Sequence, residues 1–247
     1  MKRTYKGPAA AAGFCLLCAL ILFAISAAVY GIAGNGRLLG EEMRRCAPPG
    51  TTGLPDEHYH DMGRMIADYL MGRRPDFQYC FTSENGEQVT CFRQHEAAHM
   101  ADVRGLIRTA GVIRLITGGA VLMLVIAGIM FRKRRKSFAV GMLAGFCLAA
   151  AFLMALLVWG LIDFDGLFIA FHRVAFTNEG WLLDSRTDML IRLMPTPFFI
   201  SMGVRLLLAV LAMVAVSFAA AVIIRKPDKK DENTEGKPAA AADLRAG

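Results

Sequence analysis

Four apolar stretches, each long enough to cross a lipid bilayer as a helix, constrain this chain more than any other feature. They cover approximately residues 9–32, 110–131, 138–162 and 198–224. About 20 apolar residues in a helix span the roughly 30 Å of bilayer hydrocarbon. Hydrophobic residues make up 55% of the 247, too many for an ordinary soluble domain. The sequence therefore predicts an all-α membrane protein with four transmembrane helices.

The first apolar stretch is compatible with a signal peptide or with a retained helix. Lys2, Arg3 and Lys6 precede it, as basic residues do in a signal peptide. Its apolar run is longer than the roughly 7–15 residues of a signal peptide. A retained transmembrane anchor is the favoured interpretation.

Basic residues beside the apolar stretches predict the orientation of the chain. The clusters are Lys2, Arg3 and Lys6, then Arg132, Lys133, Arg134, Arg135 and Lys136, then Arg225, Lys226, Lys229 and Lys230. Such clusters favour the cytoplasmic side, so both termini are predicted to be cytoplasmic. Attraction to anionic lipid explains much of the formal charge of +7, and nucleic acid is not a predicted partner.

The polar segments give the predicted organisation along the chain. It is 1–32 for the N-terminus and first helix, 33–109 for a small extracytoplasmic cap, 110–131 for the second helix, 132–137 for a cytoplasmic basic loop, 138–162 for the third helix, 163–197 for an outer segment rich in aromatics, 198–224 for the fourth helix, and 225–247 for a disordered cytoplasmic tail. Residues 93–108 are predicted to run as a helix into the second span.

Within the cap, apolar residues at helical spacing predict a helix around Met62, Ile66 and Tyr69. Residues 78–92 predict a short β-hairpin with Asn85-Gly86 at its turn. Counting outward from that turn pairs Cys80 with Cys91, a separation that permits a disulfide outside the cytoplasm. Two free cysteines are the alternative.

Two arginines lie within the outer ends of apolar stretches. Arg114 and Arg205 fall in the first two turns of the second and fourth spans. Their side chains can extend back to the interface, where a lipid carbonyl or phosphate is a possible partner.

One short string suggests a metal site. His95-Glu96-Ala97-Ala98-His99 matches HExxH, in which two helical histidines bind zinc and the glutamate is a general base. A catalytic zinc also needs a third protein ligand, for which His172 or Glu179 is a candidate. The alternative is a chance match in which His95 is a solvated surface residue.

Two blocks of residues carry a more extensive resemblance. Residues 96–103 follow the pattern E-x-x-H-M-x-D-V. The second, longer block comprises Phe171-His172, Phe176, Asn178, Trp181-Leu182, Thr187-Asp188, Leu190-Ile191, Pro195 and Phe198-Phe199. Together with the four spans and the cap, they resemble a bacterial membrane protein family, the lipoprotein intramolecular transacylases. In that family the position of His95 is not reliably histidine, so the resemblance favours a chance HExxH and no metal.

The resemblance implies an activity in the bacterial cell membrane, with the site on the extracytoplasmic side. Family members act on lipoproteins whose N-terminal cysteine carries a diacylglyceryl group, and transfer its sn-2 acyl chain to the cysteine α-amine. The product is a lyso-form lipoprotein. His99 and His172 correspond to the two family histidines described as catalytic, and no cofactor is implied.

The chemistry is consistent with a histidine pair. The attacking amine must lose a proton and the leaving glyceryl oxygen must gain one, and histidine titrates nearest neutral pH. Because amine and ester belong to one substrate molecule, proximity supplies much of the acceleration. His99 is the favoured base and His172 the acid or oxyanion polariser, with the reverse assignment left open.

Further residues are predicted to support or line the site. Asp102 either orients the His99 ring or pairs elsewhere, and Glu96 has either a site or a structural role. Asn178 and Asp188 either take part directly or shape the last outer loop. The acyl chains are predicted to contact Phe171, Phe176 and Trp181, whose alternative role is interface anchoring.

Two functions of other classes compete with this interpretation. One is a zinc-dependent membrane hydrolase that uses His95, Glu96 and His99. The other is a non-enzymatic sensor or assembly protein whose cap binds a partner. A diacylglyceryl-modified lipoprotein and membrane lipid are the predicted partners.

Overall fold

A computed structural model describes residues 7–83, 85–130 and 134–225. In these residues the helices are α1 (Gly7–Ala33), α2 (Gly36–Cys46), α3 (Pro49–Thr52), α4 (His58–Leu70), α5 (Gln94–Met130), α6 (Arg135–Ile162), α7 (Phe164–Ala175), α8 (Met189–Leu193) and α9 (Thr196–Arg225); the strands are β1 (Cys80–Thr82) and β2 (Gln88–Thr90). The predicted tail lies outside the described residues except for Arg225, and so do Arg132 and Lys133.

The helices α1, α5, α6 and α9 form the membrane part of the molecule. Within the described residues, these four are long and apolar enough to cross a bilayer. Helix α1 contacts the other three, and it crosses α6 closely because Gly13 faces the Phe138 carbonyl and Gly141 faces the Ala10 carbonyl. Together with the small two-stranded sheet, these helices confirm the predicted all-α membrane fold.

Helix α5 joins the polar and apolar parts without a break. It begins at Gln94 and ends at Met130, as predicted for a helix that enters the second span. Its first turns contain Glu96, Asp102, Arg104 and Arg108, and its continuous apolar part begins at about residue 110. Residues 94–109 therefore lie outside the segment predicted to span the membrane, and the candidate histidine His99 is among them.

The cap has its own hydrophobic core. The predicted helix around Met62 is α4, which packs against α2. Met43 of α2 and Met62 and Ile66 of α4 are almost completely buried, and Leu190 and Leu193 of α8 belong to the same cluster. The segment between α6 and α9 is thus anchored in the cap core, although the two are far apart in the sequence.

The hairpin is present as predicted, but its register differs by one residue. Ser83 N–H donates to the Glu87 carbonyl at 2.9 Å, and Gly86 has a φ of 79°. The turn therefore contains three residues between that pair, a common loop with a left-handed glycine. Cys80 consequently lies opposite Thr90.

The one-residue shift overturns the proposed disulfide. Successive residues of a strand point to opposite faces, so Cys80 is exposed while Cys91, which is opposite Tyr79, is buried. Both cysteines are free. The prediction of a Cys80–Cys91 bridge is therefore wrong.

Helix α7 was not predicted from the sequence. It follows α6 directly because Asp163 interrupts the chain direction and then caps the new helix, with its carboxylate accepting from the Gly166 N–H at 2.8 Å. Helix α7 contacts α6. The turn between them redirects the chain, and His172 of α7 thereby contacts His99 of α5.

We expect Gly63→Ala to destabilise the cap. A methyl group at Gly63 would lie 2.7 Å from the Gly40 Cα and closer still to the Gly36 carbonyl, so α2 and α4 would have to separate. Such overpacking costs about 1–3 kcal/mol, and thermal unfolding in detergent should show a lower Tm. Gly105→Ala is the matched control, because nothing lies within 4 Å of the added methyl; equal Tm values for both variants would contradict the prediction.

Candidate functional site

His99 of α5 and His172 of α7 meet in the folded chain. Their ring centroids are 6.2 Å apart and the ring planes differ by 32°. They are only 8% and 7% exposed. The structure therefore brings together the two residues that the sequence singled out as a possible acid–base pair.

Aromatic side chains surround the pair. The His172 centroid lies 5.0 Å from Trp181, 5.4 Å from Phe171 and 5.5 Å from Phe176, and Phe176 is also 5.2 Å from His99. These are the three aromatics predicted to line the site. They enclose the histidines on the side formed by α7 and the segment that follows it.

Phe168 is a site residue that the sequence analysis missed. Its ring centroid is 4.0 Å from that of His172 and 5.0 Å from that of Phe199 on α9. The spacing of four residues between Phe168 and His172 would have indicated the contact once α7 was known to be helical.

A hydrogen bond determines the tautomer of neutral His172. Its Nδ1 lies 2.8 Å from the Phe168 carbonyl oxygen, and because a carbonyl can only accept, Nδ1 carries the proton. The lone pair of the neutral ring is then on Nε2. Burial lowers the pKa of His172, an effect that the bond to the Phe168 carbonyl partly opposes.

His99 is buried without the same support. Its Nδ1 has no hydrogen-bond partner in the described part of the protein. Burial, and to a smaller extent the neighbouring His172, lower the pKa of His99 to about 4 against the opposing effect of the Asp102 carboxylate. Both imidazoles are consequently neutral near neutral pH.

Asp102 bonds to Asn178 and does not bond to His99 Nδ1. The Asn178 amide donates to the Asp102 carboxylate at 2.9 Å, and the Asn178 side-chain oxygen accepts from the Gly180 N–H at 2.9 Å. This pair fastens the segment between Phe176 and Trp181 to α5. The two residues therefore hold one aromatic side of the site in position.

Glu96 joins the beginnings of two helices. Its carboxylate is completely buried and accepts from the backbone N–H groups of Arg93 and Leu190, each at 2.7 Å. The first bond caps α5, and the second satisfies an N–H in the first turn of α8. The observed contacts give Glu96 a structural role beside the histidines.

Asp188 shapes the loop between α7 and α8. It is 3% exposed, its carboxylate lies 3.0 Å from His95 Nε2, and it accepts from the Asp184 N–H at 2.9 Å. Burial raises the pKa of Asp188, but the hydrogen bonds from His95, Asp184 and Thr187 outweigh burial and lower it overall.

The HExxH string is not arranged as a zinc site among the described residues. His95 is directed to Asp188 and Glu96 to backbone N–H groups. Within the described residues, no group of three or more His, Cys, Asp or Glu side chains is placed to hold a metal ion. The arrangement gives the zinc hydrolase interpretation no geometric support.

Comparison with known proteins decides the family. The family described as "Lipoprotein intramolecular transacylase Lit" matches residues 14–199, which is more than half of the chain and includes both histidines. The chain belongs to this family. It is therefore an acyltransferase, and the resemblance noted in the two sequence blocks is confirmed. No curated protein matches the chain.

Solved structures of a family member have the same fold as this transacylase. The lipoprotein intramolecular transacylase Lit from Bacillus cereus is 16% identical, with a TM-score of 0.69 over 90% of this chain and 96% of that one. A second structure of the same protein, with a histidine replaced by arginine, is 18% identical with a TM-score of 0.64 over 94% and 96% of the two chains. The transacylase is thus a multi-pass membrane protein, consistent with its four apolar helices.

We expect Glu96→Ala to destabilise this transacylase more than Glu96→Gln. Alanine leaves the buried Leu190 N–H without an acceptor, at about 1–3 kcal/mol, and also removes the acceptor of the partly buried Arg93 N–H, whereas glutamine retains an oxygen for one of them. Thermal unfolding in detergent measures the difference, with Glu179→Ala as control because Glu179 is exposed. A Tm for Glu96→Ala equal to that of the control would rule out the structural role.

Proposed function

We propose that this transacylase moves the sn-2 acyl chain of a diacylglyceryl-modified lipoprotein to the α-amine of its N-terminal cysteine, with His99 and His172 as acid–base pair. The observation that supports the proposal best is the meeting of two neutral, buried imidazoles 6.2 Å apart within an aromatic enclosure. A neutral ring can both accept and donate a proton. Two such rings supply the two transfers that the reaction requires.

The hydrogen bonding of the two rings favours His172 as the base. Its Nδ1–H donates to the Phe168 carbonyl, which leaves Nε2 to take the proton of the attacking amine and supports the positive charge that the ring then carries. His99 is more strongly disfavoured as a cation because its pKa is lowered to about 4 by burial and by His172. This assignment reverses the one favoured from the sequence.

His99 then acts as the donor. The amine nitrogen forms a bond to the ester carbonyl carbon while its proton passes to His172 Nε2. An N–H of neutral His99 polarises the carbonyl oxygen and protonates the glyceryl oxygen as the C–O bond breaks. The proton that His172 took from the amine then passes to His99, which restores both rings to their starting states. The products are an amide and a free hydroxyl.

The enclosure fits an acyl-chain substrate. Phe171 is 56% exposed although it contacts His172, and Trp181 is half-buried. These rings can contact the lipid chains while the histidines contact the ester. The polar beginning of α5 precedes its apolar part, so a site at His99 lies on the extracytoplasmic side, about 16 Å along the helix from residue 110, if both termini are cytoplasmic.

We expect His99→Ala and His172→Ala each to abolish most of the lyso-form product. Loss of a positioned acid or base typically reduces the rate about 10²–10⁴-fold. The product is measured by mass spectrometry of a co-expressed lipoprotein, with immunoblotting of membranes to show that the variant proteins are present. His60→Ala is the matched control because His60 is exposed on α4.

His95→Ala separates the transacylase mechanism from zinc hydrolysis. Under the proposed mechanism, we expect His95→Ala to retain N-acylation activity. Its loop should be less stable, because His95 contacts Asp188. Unchanged N-acylation in both His99→Ala and His172→Ala would refute the histidine assignment.

We expect His99 and His172 to titrate below the ordinary histidine pKa of about 6.5. Burial lowers both pKa values, to about 4 for His99. The unfolded chain then binds more protons than the folded one as pH falls below about 6.5, so the free energy of unfolding decreases with decreasing pH in that window. NMR of selectively labelled histidine measures the two pKa values. The His99→Gln and His172→Gln variants assign the signals to the two residues. Titration of either ring above 6.5 would contradict the prediction.

A further inference from the structure

The aromatic rings of the site are distributed unequally over the two histidines. The rings around His172 have their centroids at 4.0 Å for Phe168, 5.0 Å for Trp181, 5.4 Å for Phe171 and 5.5 Å for Phe176. In the described part of the chain, His99 contacts the ring of His172 and one other ring, that of Phe176. The residue with the denser aromatic surroundings is therefore His172, the proposed base.

Two of these rings meet His172 through their faces. The planes of Phe168 and Trp181 are tilted from the imidazole plane by 44° and 36°. Aromatic rings in contact edge to edge cannot bring their centroids as close as 4.0 or 5.0 Å, so both pairs are tilted stacks. Phe176 meets His99 differently, because those two planes are 69° apart.

A stacked face has an electrostatic consequence for a histidine that becomes charged. The face of an aromatic ring carries the negative part of its quadrupole, and it attracts a cation within about 6 Å of the ring centroid. This attraction is largest where water is excluded, and His172 is only 7% exposed. In the proposed function, His172 becomes an imidazolium when it takes the proton of the attacking amine.

Carboxylates near the site are bound to other groups. In serine proteases a buried carboxylate stabilises the imidazolium that forms during acyl transfer. Here Glu96, Asp102 and Asp188 form their hydrogen bonds with backbone N–H groups, Asn178 and His95. Among the described residues, no carboxylate forms an ion pair with His172. The Phe168 carbonyl and the ring faces are the groups placed to stabilise its charge.

We propose that Phe168 and Trp181 are positioning residues that stabilise the imidazolium form of His172 through the faces of their rings. This proposal rests on the proposed function, in which His172 is the base. The amine N–H bond breaks as its proton passes to His172 Nε2 and the new N–C bond forms, and the two rings do not react. They exclude water from His172 and offset part of the cost of charging it there.

Fluorinated tryptophans at position 181 test the proposal. Fluorine withdraws electron density from the ring face and changes the ring size little, so the cation attraction weakens while the packing is retained. We expect kcat of the full-length enzyme on a diacylglyceryl lipopeptide to fall stepwise with added fluorine. The most fluorinated ring should reduce kcat about tenfold, equivalent to about 1.4 kcal/mol, with KM unchanged because the ring keeps its shape.

The chain supplies a matched control for this substitution. It contains two tryptophans, and the other, Trp159 of α6, is 43% exposed. The same fluorinated residues at position 159 should leave kcat unchanged. Fluorinated phenylalanines at position 168 are the second arm, because they keep the backbone carbonyl that accepts from His172 Nδ1–H. Phe152 of α6, which is 62% exposed, is the control for that arm.

The pKa of His172 is a readout that a purely structural role would not change. Weaker attraction for the cation leaves the neutral ring unaffected, so fluorination of Trp181 should lower the pKa of His172 further. NMR of selectively labelled histidine measures this shift in each fluorinated protein. Fluorination at position 159 should leave the pKa of His172 where it is.

Three results would overturn the proposal. They are a kcat that fluorination changes at neither position 168 nor position 181, an equal loss of kcat at position 159, or a raised KM with unchanged kcat. The last result would assign the rings to acyl-chain binding alone. Any of these results together with an inactive His172→Ala variant leaves the proposed function intact. Retained N-acylation in His172→Ala would instead refute the proposed function, so the two failures are distinguishable.

Discussion

The buried carboxylate of Glu96 is the interaction on which the arrangement of the site depends. Its two oxygens accept from Arg93 at the start of α5 and from Leu190 at the start of α8, so one side chain joins segments almost a hundred residues apart. Burying a carboxylate is costly unless its oxygens are hydrogen-bonded, which makes this geometry strongly preferred over alternatives. It places the segment after α7 over the first turns of α5, where His99 lies.

Enclosure by aromatic rings has two consequences for the site. It removes water, which lowers the pKa of both rings and keeps them neutral, and it provides an apolar environment for lipid chains. The hydrogen bond from His172 to the Phe168 carbonyl makes the two rings inequivalent. Inequivalence is useful in acyl transfer, because one group must accept a proton before another donates one.

The sequence predicted those features that follow from local composition. Apolar length predicted the four membrane helices, and periodic spacing predicted α4 around Met62. The topology predicted from the basic clusters also placed His99 and His172 on one side of the membrane. The family resemblance, rather than periodicity, distinguished these two histidines from the other three.

The features that were missed depend on a single residue of backbone or on contacts distant in sequence. A three-residue turn ending at Gly86 shifts the hairpin register, and with it the predicted partner of Cys80. Helix α7 was hidden because its aromatic residues also suit an irregular interface segment. The partner of Asp102 is Asn178, which no local pattern indicates. The sequence therefore left open whether Asp102 orients the His99 ring or pairs elsewhere.

Helix α5 combines these properties because it is continuous across the polar and apolar parts of the chain. Its beginning is fixed by Glu96, and its second turn carries His99 toward α7. On other sides of the same helix, Arg104 and Arg114 stack on Tyr69 and Tyr30. A rigid helix transmits a shift along its axis, so the packing of α5 against α1 and α4 also fixes the position of His99 along that axis. Proton transfer requires atoms within about 3 Å, and the position of α5 therefore bears directly on whether His99 can reach a glyceryl oxygen.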